Sequence, residues 1–149
     1  VLPHIGWWLI TTGQKAPYGH CTHTECVHQV HGDGSVTMAS SSIADGGVRR
    51  KRTRLVPGRW LVVDVPSWDE QKSIDFFDGV IEAGVTYDTR GAAATLLPGK
   101  HKANQFFCTE SVLAPFVVAP HYYSPALGLS LCLSVGHDVT QEFFSGVRA

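Results

Sequence analysis

NQFFCTESV, residues 104–112, runs two aromatics into a cysteine and then into small polar residues and an apolar segment. That order predicts a helix starting at Cys108. A cysteine in a first helical turn gains from the helix dipole and from backbone N–H groups that no helix carbonyl can reach, and both favour the thiolate. The ordinary thiol pKa of ~8.5 falls there, and a nearby histidine lowers it further. The competing reading is a small buried hydrophobe, the usual fate of a free cysteine.

Downstream of Cys108, the residues Val112, Leu113, Phe116 and Val117 lie on one apolar side. Pro115 lies inside the same stretch and should kink the helix or limit it to about two turns. Pro120 and Pro125 bracket a loop, and the last ~24 residues, apolar over 127–135, form a packing element whose type periodicity does not decide. Upstream, residues 85–99 read as a loop-rich insert carrying Tyr87 and Asp88. WLVVDV, residues 60–65, reads as a buried strand that Pro66 ends. Ser67 and Glu70 have capping-box spacing ahead of a helix to Ala83, with Ile74, Phe77 and Ile81 on its apolar face and Gly84 as its stop.

The N-terminal part reads as strands. Residues 6–12 form a first one, closed by Gly13. Residues 22–30 alternate, with His23, Glu25, Val27 and Gln29 on one face and Thr24, Cys26, His28 and Val30 on the other. Gly32-Asp33-Gly34 signals a hairpin into a return strand over 35–42, and Asp45-Gly46-Gly47 turns the chain again. Together these elements predict an α+β fold with an antiparallel sheet packed against helices.

At 149 residues the chain is expected to form one domain, 1–149, with a core of its own. Its 44% hydrophobic and 17% charged residues exclude a disordered chain, and a net charge of −1 gives no overall attraction to nucleic acid or an anionic membrane. RRKRTR, residues 49–54, has two readings: a polyanion-binding patch, or a solvated strand whose charges prevent edge pairing. The second is preferred, since no aromatics interleave for base stacking. Residues 5–10 are too short to span a bilayer, so neither a transmembrane segment nor a signal peptide is expected. Four cysteines in a domain this size do not read as a disulfide scaffold, and they are expected to be reduced.

Four histidines and two cysteines between His20 and His31 suggest a zinc site. A strand rising ~3.3 Å per residue sets His23 and His31 roughly 26 Å apart, too far to share an ion. A site from His20, Cys21 and His23 stays open as a minor alternative; no metal or cofactor is expected. The preferred role is for His23, at the start of its strand, to partner Cys108. His28 and His31 are expected to face solvent.

Several stretches in order resemble the circularly permuted NlpC-like cysteine hydrolases of papain-like fold, related to the lecithin:retinol acyltransferase group. THTECVHQVHGDG is similar to that family's histidine strand and hairpin, and SSSIADGGVRRKR to its serine-rich return strand and turn. GVTYDTRG, FFCTES and PHYYSPALG follow in the family's order, so the likeness runs from His20 to about Leu129. The resemblance implies a circularly permuted papain-like fold and a Cys108–His23 pair, with Tyr87 matching the family tyrosine beside the site; a core tyrosine is its structural alternative. It implies hydrolysis of amide or peptide bonds in bacterial peptidoglycan, or of another acyl substrate. The setting it implies is a bacteriophage virion, with virion proteins as partners, or the host cytoplasm or periplasm. Two positions depart from the family pattern. Simple hairpin alignment puts Met38 near the place of the third polar residue, leaving Ser40 as the nearest candidate to orient His23, and Pro115 is unexpected in the cysteine helix. A non-enzymatic virion module of the same fold is the alternative function, and a zinc-binding domain the third.

Overall fold

Two glycines in the left-handed region set the middle of the sheet. Gly34, at φ 79°, closes the hairpin between β2 (Cys21–Val30) and β3 (Val36–Ser42), where the Asp33 carboxylate accepts from Ser35 N (3.0 Å) and Ser35 Oγ (2.6 Å). Gly46, at φ 78°, turns β3 into β4 (Gly47–Thr53). A positive φ costs glycine almost nothing and other residues considerably more, so these two turns fix the register on either side.

The structure is a computed structural model that describes residues 7–12, 21–94 and 105–146, and the side chains of 23–92 and 105–146. Outside β2 lie β1 (Trp7–Thr12) and then β5 (Trp60–Asp64), and three two-residue strands complete the sheet: β6 (Thr86–Tyr87), β7 (Gln105–Phe106) and β8 (His137–Asp138). The order is β7-β6-β4-β3-β2-β1-β5-β8, antiparallel throughout except for the β6–β7 pair. The helices are α1 (Glu70–Glu82), α2 (Thr89–Ala94), α3 (Cys108–Leu113), α4 (Pro125–Val135) and α5 (Thr140–Gly146). The protein is therefore α+β with an antiparallel-rich sheet.

Two clusters cover the sheet. Cys26, Ala39 and Val63 pack with Phe77 of α1, Val112 and Leu113 of α3, and Leu129 and Cys132 of α4. Val27, Val36, Met38 and Val62 pack with Phe143 of α5. Because neighbouring strand residues point to opposite faces, Cys26 and Val27 in different clusters mean that this sheet is buried on both sides. A carboxylate on β2 is thereby forced into the interior, where it needs partners.

Details differ from the sequence reading. The cap of α1 is Asp69, whose carboxylate accepts from Lys72 N; the expected Ser67 box lies too far upstream for the helix start at Glu70. Gly84 does end this helix, at φ 63°. α3 stops at Leu113, in keeping with Pro115 two residues on, and the undecided C-terminal region is α4, β8 and α5. The four arginines of the basic run are paired: Arg49 with Glu25 and Asp45, Arg50 with Asp78, and Arg52 and Arg54 with Asp33. Among the described residues no helix is long and apolar enough to cross a membrane.

Candidate active site

Two polar ties hold α3 against β3 and β2, and a third bond braces the helix itself. Ser41 N donates to Ser111 Oγ (2.9 Å), Ser111 Oγ donates to Cys108 O (2.8 Å), and Thr24 Oγ1 lies 3.0 Å from Thr109 Oγ1. The Phe107 N–H donates back to the Glu110 carboxylate (3.3 Å), closing the first turn. These bonds fix Cys108 at the start of α3, only 4% exposed. On the facing strand the β1–β2 register slips between Thr11 and Thr12, next to the Thr11–His23 pair. A bulge of this kind re-aims the side chain beside it.

His23 and Cys108 meet there in a side-chain hydrogen bond. His23 Nε2 lies 2.7 Å from Glu25 Oε1. Arg49 grips the same carboxylate with two bonds, Nη1 to Oε2 and Nη2 to Oε1, each 2.8 Å. Ser40 Oγ stands 3.4 Å from His23 Nε2 and accepts from Arg49 Nη1 at 3.0 Å. Ser40 thus reaches His23 at the limit of a hydrogen bond, whereas Glu25 makes a short one. Met38 pairs with Val27 and lies in the apolar cluster against α5.

The charges follow from these contacts. Burial opposes an imidazolium at His23, but the hydrogen bonds to Cys108 and Glu25 and the charges of both carry its pKa up to about 9. Burial likewise opposes a thiolate at Cys108; the His23 bond and charge, with the Thr24 backbone N–H, bring its pKa below the ordinary value. Glu25 is held down to about 2 because Arg49 and His23 outweigh its desolvation. Cys26 and Cys132, buried without such partners, are pushed up to about 12. Tyr87, half-buried, is raised to about 12 by burial and then by the Cys108 charge and Asp88, so its hydroxyl keeps its proton. The arrangement can hold a thiolate–imidazolium pair against a buried carboxylate, the chemistry of a nucleophilic cysteine.

His28 is placed otherwise than expected: it is half-buried against Phe77, with Nε2 3.2 Å from Ser73 Oγ. Arg50 Nε donates to its Nδ1 (3.0 Å), so Nε2 carries the hydrogen and the ring cannot take a proton from Ser73. Burial and Arg50 lower its pKa to about 4. His31 bonds Thr37 Oγ1 at 2.8 Å. Of the minor zinc set, His20 and the Cys21 side chain lie outside the described residues; His23 belongs to the Cys108 pair.

Reading the sequence alone missed Glu25 and Arg49. The signal for Glu25 was its place two residues after His23, on the same face of an alternating strand. Arg49 was hidden in a run of cations. Compared with known proteins, the chain matches no family model, no curated protein and no solved structure.

Proposed function

We propose that the protein is a cysteine hydrolase that cleaves amide or peptide bonds, with bacterial peptidoglycan as substrate and a phage virion or lysis apparatus as its setting. The observation that carries this reading is the hydrogen-bonded chain Cys108–His23–Glu25, which favours thiolate and imidazolium together. The substrate class rests on the resemblance of the motifs in sequence.

The Cys108 thiolate attacks the scissile carbonyl carbon, forming a C–S bond as the carbonyl electrons move to oxygen. The oxyanion is met by the Cys108 backbone N–H, with the protonated Tyr87 hydroxyl as a further donor. His23 gives its proton to the leaving amine as the C–N bond breaks. The now neutral imidazole takes a proton from water, hydroxide adds to the thioester, and the thiolate departs with the acid released. Glu25 keeps the ring oriented and stabilises its charged form.

The test is digestion of purified sacculi, with products read by mass spectrometry. New amine and carboxylate termini are expected with the natural protein and none with Cys108→Ala or His23→Ala. Cleavage that survives in Cys108→Ala contradicts the mechanism, and a natural protein that cleaves neither sacculi nor simple acyl esters favours a non-enzymatic virion module.

A further inference from the structure

Arg49 uses all three of its guanidinium nitrogens on one face of the sheet. Nη1 and Nη2 fork onto Glu25, Nη1 also reaches Ser40 Oγ, and Nε donates to Asp45 Oδ2 at 2.7 Å. Ser40 is its direct partner in the β3–β4 register, so the bonds run from β4 across β3 to β2. The Arg49 side chain is 18% exposed and that of Glu25 only 2%. We infer that Arg49 is a positioning residue for the Cys108 site, a fork that holds Glu25 ionised and fixed in orientation so that Glu25 can hold His23. This rests on the proposed nucleophilic role of Cys108 and adds to it a residue that touches neither sulfur nor substrate.

The argument is one of charge and shape. Glu25 is buried between two strands, and a carboxylate there without a fixed cation would take up a proton. His23 alone cannot be that cation, because its charge is what the site must use and release. A planar guanidinium supplies a permanent charge and matches both carboxylate oxygens, which an ammonium cannot do. Asp45, in the β3–β4 turn, and Ser40 hold the guanidinium in place. The other titratable groups about the site are Cys108 on α3 and Tyr87 on β6, with Asp88 next to Tyr87 and Glu110 on α3. None of these is a cation, so among the described groups loss of Arg49 leaves Glu25 with no permanent positive charge to hold it ionised.

The test is the pH profile of Cys108 alkylation by iodoacetamide, which needs no substrate, in the natural protein and in Arg49→Met, Arg49→Gln and Arg49→Lys. Without the cation the thiolate is harder to form, so the acid limb should move up by about one pH unit in the Met and Gln variants. It should move by less than half of that in Arg49→Lys, which keeps the charge. Thermal melts identify the folded variants, and Arg49→Gln decides if Arg49→Met does not fold. A purely structural role lowers the melting temperature but leaves the limb in place. A folded neutral variant whose profile superimposes on the natural one overturns the role of Arg49 and leaves the proposed function standing. An ordinary thiol profile in the natural protein overturns both.

Discussion

Glu25 decides what kind of site this is. A serine hydroxyl can hold an imidazole in one tautomer but adds no charge, whereas a carboxylate at 2.7 Å also stabilises the imidazolium. Glu25→Gln should therefore reduce hydrolysis by about a hundredfold, ~2.7 kcal/mol of barrier. Ser40→Ala, whose contact with His23 is long, should cost less than about tenfold. Steady-state kcat/KM on one soluble substrate compares the two, and a larger loss for Ser40→Ala would reverse their roles. The places of Cys108 at a helix start and of His23 near a strand start were legible because the sequence marks element boundaries. Glu25 lies on the His23 face of the alternating strand, whereas the resemblance points across the hairpin to β3 for the third residue. What sequence could not supply was the burial that turns an adjacent carboxylate into a partner.

At the scale of elements, the position of Cys108 depends on how firmly α3 is tied to the sheet. Ser111 accepts from the buried Ser41 N–H, and alanine there leaves that donor without its acceptor. Ser111→Ala should destabilise the fold by about 1–3 kcal/mol, read as a lower urea midpoint. An unchanged midpoint would mean that α3 is held by packing alone. The β6 strand that carries Tyr87 depends on Gly47, where an added Cβ would come within 2.9 Å of Thr86 Cα. The central hairpins were readable because their turns demand glycine. The two-residue strands β6, β7 and β8 carry no periodicity and exist only through tertiary pairing. α4 is apolar nearly all round, so its period was uninformative, as for any helix packed on several sides.

For the whole molecule, the buried carboxylates set opposite pH limbs of stability. Glu25 falls from its ordinary 4.5 to about 2, so its contribution is present above 4.5 and is lost as the pH drops toward 2. Glu110 rises from 4.5 to about 8, chiefly by burial, so its contribution is present below 4.5 and is lost as the pH climbs through 8. Melting temperature against pH should flatten on the acid side in Glu25→Gln and on the neutral-to-alkaline side in Glu110→Gln. Unaltered slopes in both variants would show that other groups govern them. The α+β class was legible from the strand-rich first third and the capped helix after it. That both sheet faces are buried was not, because a chain covered on two sides no longer alternates cleanly.

The central claim is that Cys108 alone among the described cysteines is held as a thiolate by His23. Site-resolved iodoacetamide labelling across pH, read by peptide mass spectrometry, measures this directly. The account predicts that Cys108 reacts well below pH ~8.5, the ordinary thiol value. Cys26 and Cys132 should stay unreactive until the protein unfolds, and the early reaction of Cys108 should disappear in His23→Ala. Labelling of Cys108 no earlier than Cys26 and Cys132, or unchanged by loss of His23, would contradict it.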